Sequence, residues 1–213
     1  PSFTSIFQGA LRWNSFVALA VAANLHGAYG VALIAVAIAA MVPLLNLLSV
    51  AMLTRYAHGG RLGPSETLRA IAANPFLWSS LLGLLLNPVS AHLPKTLVVS
   101  VDILARAAVA SGLLVVGAGL ELKRLARPGP AHGIAILLKL VILPATAWAL
   151  ARLFGLEGAP LQLVVVASSV PTAAASYILA RQMGGNAPLM AEITTLQTIL
   201  ALLSMPIMLY LLN

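Results

Sequence analysis

Long uncharged stretches alternate with short polar intervals along this chain. Trp13 to Thr54, Ala70 to Pro94, Gly158 to Ala180 and Ile193 to Asn213 contain no Asp, Glu, Lys or Arg. Each reaches or exceeds the roughly 20 residues that carry a helix across a bilayer, and the first is long enough for two passes. The pattern predicts seven spans: about Ser5 to Leu25, Tyr29 to Leu53, Leu68 to Asn87, Leu97 to Leu120, Ile134 to Phe154, Leu161 to Arg181 and Leu189 to Leu212. Gly27 and Gly30 suit a tight turn between the first two, and Gly184-Gly185-Asn186 a turn between the last two. Residues 54 to 66 form a polar linker, and Pro128-Gly129-Pro130 stops any helix before the fifth span. An odd number of spans places the two ends on opposite sides.

Composition agrees with that pattern. Of 213 residues 61% are hydrophobic and 8% charged, against about 25% charged in a soluble domain. The expected class is therefore an all-α polytopic membrane protein. The net charge of +7 reads as topology rather than as a sign of nucleic acid. Arg12, Arg55, Arg61, Arg69, Lys123, Arg124, Arg127 and Arg181 fall on one side of the predicted spans, and only Lys95 and Arg152 on the other. The positive-inside bias places the first set, with the N-terminal end, in the cytoplasm and the C-terminus outside, in a cytoplasmic (inner) membrane. The chain has no Cys, hence no disulfide framework and no thiolate metal site. It begins at Pro1 without a signal-peptide pattern, which reads as a fragment or a processed product.

One interior feature breaks the apolar pattern. Ser168, Ser169, Pro171, Thr172 and Ser176 lie in the middle of the sixth span. A proline there has no N–H to donate and clashes with the preceding turn, freeing backbone groups where no water satisfies them. Sliding residues 12 to 30 onto 169 to 187 pairs Asn14 with Pro171, Ser15 with Thr172 and Gly27 with Gly184, a faint internal repeat.

Asn74-Pro75, Leu81 to Asn87, Gly117 to Leu120, Lys139 to Pro144, Val170-Pro171 through Gly184 and Ser204-Met205-Pro206 together resemble the auxin efflux carrier family of bacterial and plant transporters. The resemblance implies a fold of two inverted five-helix repeats, ten spans in all, whose fourth helices are interrupted and cross near the bilayer centre. This chain would match spans four to ten. Residues 1–53 would then be the last two helices of the first repeat and residues 54–67 the cytoplasmic linker. Residues 68–213 would be the second repeat, with 68–120 scaffold-type and 131–213 transport-type helices. The resemblance makes Asn14 and Pro171 the two crossover positions. It departs at Val21 and near Ser176, where the family often has prolines. It also implies an elevator-like alternating-access motion, and we expect a homodimer formed through scaffold helices.

The expected substrate site is Asn14, Ser15, Ser168, Ser169, Pro171, Thr172 and Ser176, because amides freed at half-helix N-termini favour a carboxylate. The plainer alternative is a proline kink whose hydroxyls bond back to helix carbonyls. Arg12 either joins this site or snorkels to the interface. Glu192 and Lys139 are candidate ion-coupling groups, since ionisable side chains inside a membrane usually serve function. Their plainer roles are a headgroup-level carboxylate, on a helix whose polar stripe includes Gln197, and a snorkelling ammonium. Asp102 and Arg106 are spaced to pair on one helix face, and Asn46 and Ser49 share a face one turn beyond Pro43.

No enzyme signature emerges. His26, His58, His92 and His132 lack metal-ligand spacing, no Ser sits in a nucleophile elbow, and no phosphate-binding loop is present. Neither a cofactor nor a metal is expected. The leading expectation is a secondary transporter of small organic anions, auxin-like or dicarboxylic. Its alternatives are a non-transporting assembly or receptor-like bundle, and an intramembrane hydrolase using Ser168 or Ser169 that would lack a histidine at the same depth.

Overall fold

The computed structural model describes residues 2–57, 85–118 and 129–211, with isolated positions between 65 and 83. More than half of the third expected span falls outside the described residues, as do His58, the basic loop of Lys123, Arg124 and Arg127, and much of the 54–67 linker. The described residues are mostly helical, and no strand occurs among them. We label the helices α1 (Ser2–Leu11), α2 (Ser15–Ala57), α3 (Lys95–Ala118), α4 (Pro130–Leu153), α5 (Gly158–Ser169), α6 (Ala175–Gln182) and α7 (Ala187–Leu211). A 3₁₀ helix, Asn87–His92, precedes α3. Among the described residues, three helical stretches are long and apolar enough to cross a membrane: Ser2–Tyr56, Pro130–Leu153 and Ala187–Leu211.

The first of these stretches is not one rod. Residues 12–14 separate α1 from α2, and α2 itself reverses at Gly27, whose φ of 55° and ψ of −139° no helix can hold. A side chain there would be strained, so glycine is required. Past the turn, Gly30 lies so close to the Ala22 carbonyl that a Cβ would overlap it. Residues eight apart in a straight helix are about 12 Å apart along the axis, so the overlap records a hairpin. The turn expected from the sequence is thus present. Ala18, Ala22, Ile34 and Leu45 of α2 share one buried apolar cluster with Leu140, Leu163, Val170 and Ala201.

The sixth expected span is two helices. Pro171 forces Val170 out of helical geometry, to φ −64° and ψ 151°, as the residue before a proline prefers. Helix α5 stops at Ser169, and α6 starts only at Ala175. Within α4, residues Leu138–Ile142 widen into a π-turn just before Pro144. A proline at that point cannot continue the regular ladder, and π-turns of this kind are common at functional sites.

Helix α1 packs against α4 and α7. The contact is close at Gly9, where a Cβ would come within 2.9 Å of Ile193 Cγ2. At one end of the bundle the Ser5 hydroxyl donates to the Asn186 carbonyl at 3.0 Å, tying α1 to the turn before α7. At the other, His26 Nε2 lies 2.7 Å from Gln162 Oε1, joining the α2 turn to α5. The pair Asp102–Arg106 forms at 2.8 Å on the exposed face of α3, as its spacing predicts.

Candidate functional site

The two breaks meet. Asn14 N–H donates to the Pro171 carbonyl at 2.8 Å, so a backbone donor freed at one break satisfies a backbone acceptor freed at the other. In a membrane interior each such group left alone costs several kcal/mol. Asn14 also restarts its own helix. Its Oδ1 accepts from Phe16 N–H at 3.2 Å and Val17 N–H at 3.3 Å, an N-cap on α2. No proline is present at this break; the asparagine cap takes its place.

Thr172 anchors the second break. Its N–H donates to Gln197 Oε1 at 3.0 Å, its hydroxyl donates to the Gln8 carbonyl at 3.2 Å, and Ser176 Oγ lies 3.4 Å away. Gln197, fully buried, turns its other end to the Gly9 and Ala135 carbonyls, both at 3.0 Å. One amide on α7 therefore holds the second break, α1 and α4 together. The sequence marked Gln197 only as part of a polar stripe.

The remaining expected site residues divide. Ser168 donates back to the Val164 carbonyl at 2.7 Å and the Val165 carbonyl at 3.1 Å, as hydroxyls within helices commonly do. Ser169 is fully buried with no partner for its hydroxyl. Ser15 opens α2 and is half-buried. Pro171 and Ser176 are buried at the break.

A surplus of donors gathers around the first break. Arg12 is buried rather than snorkelling, and its Nη2 donates to Asn46 Oδ1 at 2.9 Å. Its Nη1 has no protein acceptor, and neither do Trp13 Nε1, Asn14 Nδ2 or Asn46 Nδ2. The orientation of both amides is fixed, because each Oδ1 already accepts a bond, so it is the N–H₂ groups that are left over. On the π-turn, Lys139 is a further fully buried donor: it lies in the segment that meets α1, α5 and α7, and its Nζ has no protein acceptor. Gln8, on the adjoining turn of α1, has both ends of its amide unpartnered. Gln8 and Asn46 are marked in the sequence only as lone amides in otherwise apolar helices.

Glu192 is not at the breaks. It lies at the Ser5–Asn186 end of the bundle, where its Oε2 is 2.8 Å from His132 Nε2. His132, just before the start expected for the fifth span, is in the first turn of α4 and is buried. None of these groups lines the open apolar groove of about 250 Å³ between α1 and α4, whose walls include Phe7, Leu11 and Ile142. Among the described residues no cluster of His, Asp and Glu is placed to hold a metal ion.

Apolar helices of spanning length, two of them neighbours to helix breaks that bond to each other inside the protein, define a polytopic membrane protein with a buried polar centre. Its family is shown by a family model described as membrane transport protein, which matches residues 64–209. The chain belongs to that family, the auxin efflux carrier family of membrane transport proteins. The match takes in the Pro171 break and α4 to α7, and leaves the Asn14 break outside it. No curated protein and no solved structure gives a match.

Proposed function

We propose that this protein is a secondary carrier of small organic anions, carboxylates of the auxin-like or dicarboxylic kind, and that the anion binds where the two breaks meet. The observation that carries the reading is the donor surplus: Arg12 Nη1, Trp13 Nε1, Asn14 Nδ2, Asn46 Nδ2 and Lys139 Nζ are buried donors without protein acceptors. A buried donor left unmade costs about 1–3 kcal/mol, more when charged, and a carboxylate offers about four acceptor sites. The start of α2 adds a positive helix end beside them. Asn14, Ser15, Ser169, Pro171, Thr172 and Ser176 frame the site, with Ser168 as packing.

In this reading the broken helices are the crossover elements of an inverted-repeat carrier, and the segments around them move relative to scaffold helices in an alternating-access cycle. The carrier works in the cytoplasmic membrane, with the N-terminal end of this chain inside. Absence of an energy-coupling nucleotide loop from the sequence leaves an ion or substrate gradient as the driving force.

The test is uptake of radiolabelled succinate and indole-3-acetate into proteoliposomes. Arg12→Gln is expected to lower uptake about tenfold or more, the loss that follows removal of a charged hydrogen-bond donor. Uptake unaffected by Arg12→Gln and by Asn14→Asp would sink the assigned site, and no uptake of any organic acid by the parent protein would favour the non-transporting bundle.

A further inference from the structure

Outside the breaks, one pair of ionisable side chains is built with more constraint than packing needs. His132 Nδ1 accepts the Gly129 N–H at 3.0 Å. That nitrogen therefore carries no proton, so the proton of the neutral ring is on Nε2, which faces Glu192 Oε2 at 2.8 Å. Adding a second proton to the ring would set an N–H against the Gly129 N–H and break the cap of α4. The free place for a proton in this pair is the Glu192 carboxylate, whose side chain is 23% exposed while that of His132 is 8% exposed. The acid is the more exposed of the two, and the Gly129 N–H holds the base in one tautomer.

We infer that His132 and Glu192 form a proton-binding site at this end of the bundle, in which Glu192 takes up and releases the proton and His132 positions it. The step is a simple one: a proton from water adds to a Glu192 oxygen, and the same proton returns to water on release. With Glu192 ionised, the Nε2–H···O bond is charge-assisted and roughly twice as strong as a neutral one. Protonation weakens the bond and removes the charge, so the contact between α4 and α7 loosens as the carboxylate becomes neutral enough to move into an apolar setting.

The surroundings leave this proton to Glu192. Helix α1, packed on both partners, carries no ionisable side chain from Ser2 to Leu11, and α5 carries none. Beyond the pair itself, α4 carries Lys139, seven residues or about 10 Å deeper along the axis, and α4 and α7 carry Arg152 and Tyr210 at their far ends. Helix α6 brings Tyr177 and the exposed Arg181, and the end of α2 brings the exposed Arg55 and Tyr56, which stack on each other. Among the described residues no second carboxylate faces the pair.

The consequence for transport rests on the carrier reading, and two measurements keep the two claims apart. The first is infrared difference spectroscopy of the reconstituted protein between about pH 8 and about pH 4. A protonated-carboxyl C=O absorption is expected that disappears in Glu192→Gln and shifts in frequency in His132→Asn. Gln keeps an oxygen to accept the Nε2–H bond, so the contact between α4 and α7 survives the change. A spectrum identical in parent and Glu192→Gln overturns the proton site.

The second measurement records proton movement into dye-loaded proteoliposomes on adding succinate or indole-3-acetate. Proton flux per anion is expected to fall about tenfold in Glu192→Gln, as for loss of a proton relay carboxylate. Flux per anion equal to the parent overturns the coupling. If neither probe anion moves in the parent protein, the carrier reading fails and the infrared result still decides the proton site.

Discussion

Replacing Gln197 by Leu tests the architecture of the polar centre most directly. The side chains are similar in size, so packing changes little, but three hydrogen bonds disappear: from Gln197 Nε2 to the Gly9 and Ala135 carbonyls, and from Thr172 N–H to Gln197 Oε1. The Ala135 carbonyl keeps a bond from the helix backbone. The Thr172 N–H has no such reserve, because the chain is not helical there. At about 1 kcal/mol for each lost bond, with the stranded Thr172 donor at the upper end of that scale, the cost is about 3–4 kcal/mol. At about 2–4 °C per kcal/mol for a chain of this size, thermal unfolding in detergent should fall by about 10 °C. Gln197→Glu refines the test. A carboxylate keeps the Thr172 bond but turns an oxygen toward two carbonyl oxygens, so it should be at least as destabilising at neutral pH. Protonation restores one O–H donor, so stability of this variant should rise as the pH falls, the reverse of what loss of a salt bridge would give. A shift below about 2 °C for Gln197→Leu, or a Gln197→Glu protein as stable as the parent at neutral pH, would refute the assignment of Gln197 as the tie between the second break, α1 and α4.

Two further outcomes follow from the backbone and from the buried cation. Gly27→Ala forces a side chain into a region reserved for glycine and should cost about 1–3 kcal/mol, read as lower thermal stability and a smaller monodisperse fraction on size exclusion. Lys139→Met removes an unpaired buried ammonium, so unfolding temperature should hold or rise while anion uptake drops; loss of stability instead would mean that the ammonium has a structural partner.

How far the sequence spoke differs from element to element. The second break was legible because proline acts through its own chemistry: without an N–H, and with its ring against the preceding residue, Pro171 ends α5 regardless of what surrounds it. The first break was legible only through comparison with the second, because Asn14 produces its effect by capping, and an asparagine in an apolar run is equally compatible with a helix contact. The turn at Gly27 followed from two glycines close together. Gln197 was visible as a polar residue but not as a tie, since its partners Gly9 and Ala135 contribute only backbone carbonyls, which every residue has. His132 and Glu192 are sixty positions apart, and nothing local marks a histidine at a helix start as the partner of a carboxylate on another helix. Arg12 was counted with the cations of the cytoplasmic side; a charge that close to a chain end has the same sequence signature whether it lies at an interface or turns inward to Asn46.

The bond between Asn14 and Pro171 explains why this chain has one proline for two breaks. A proline supplies a carbonyl but no N–H, so two prolines facing each other would present two acceptors and no donor. By having a donor-bearing residue at 14 and a donorless one at 171, the two breaks complete each other as plug and socket. Two breaks that meet in this way need unlike residues at the positions where they touch, one with an N–H to give and one with only a carbonyl to offer.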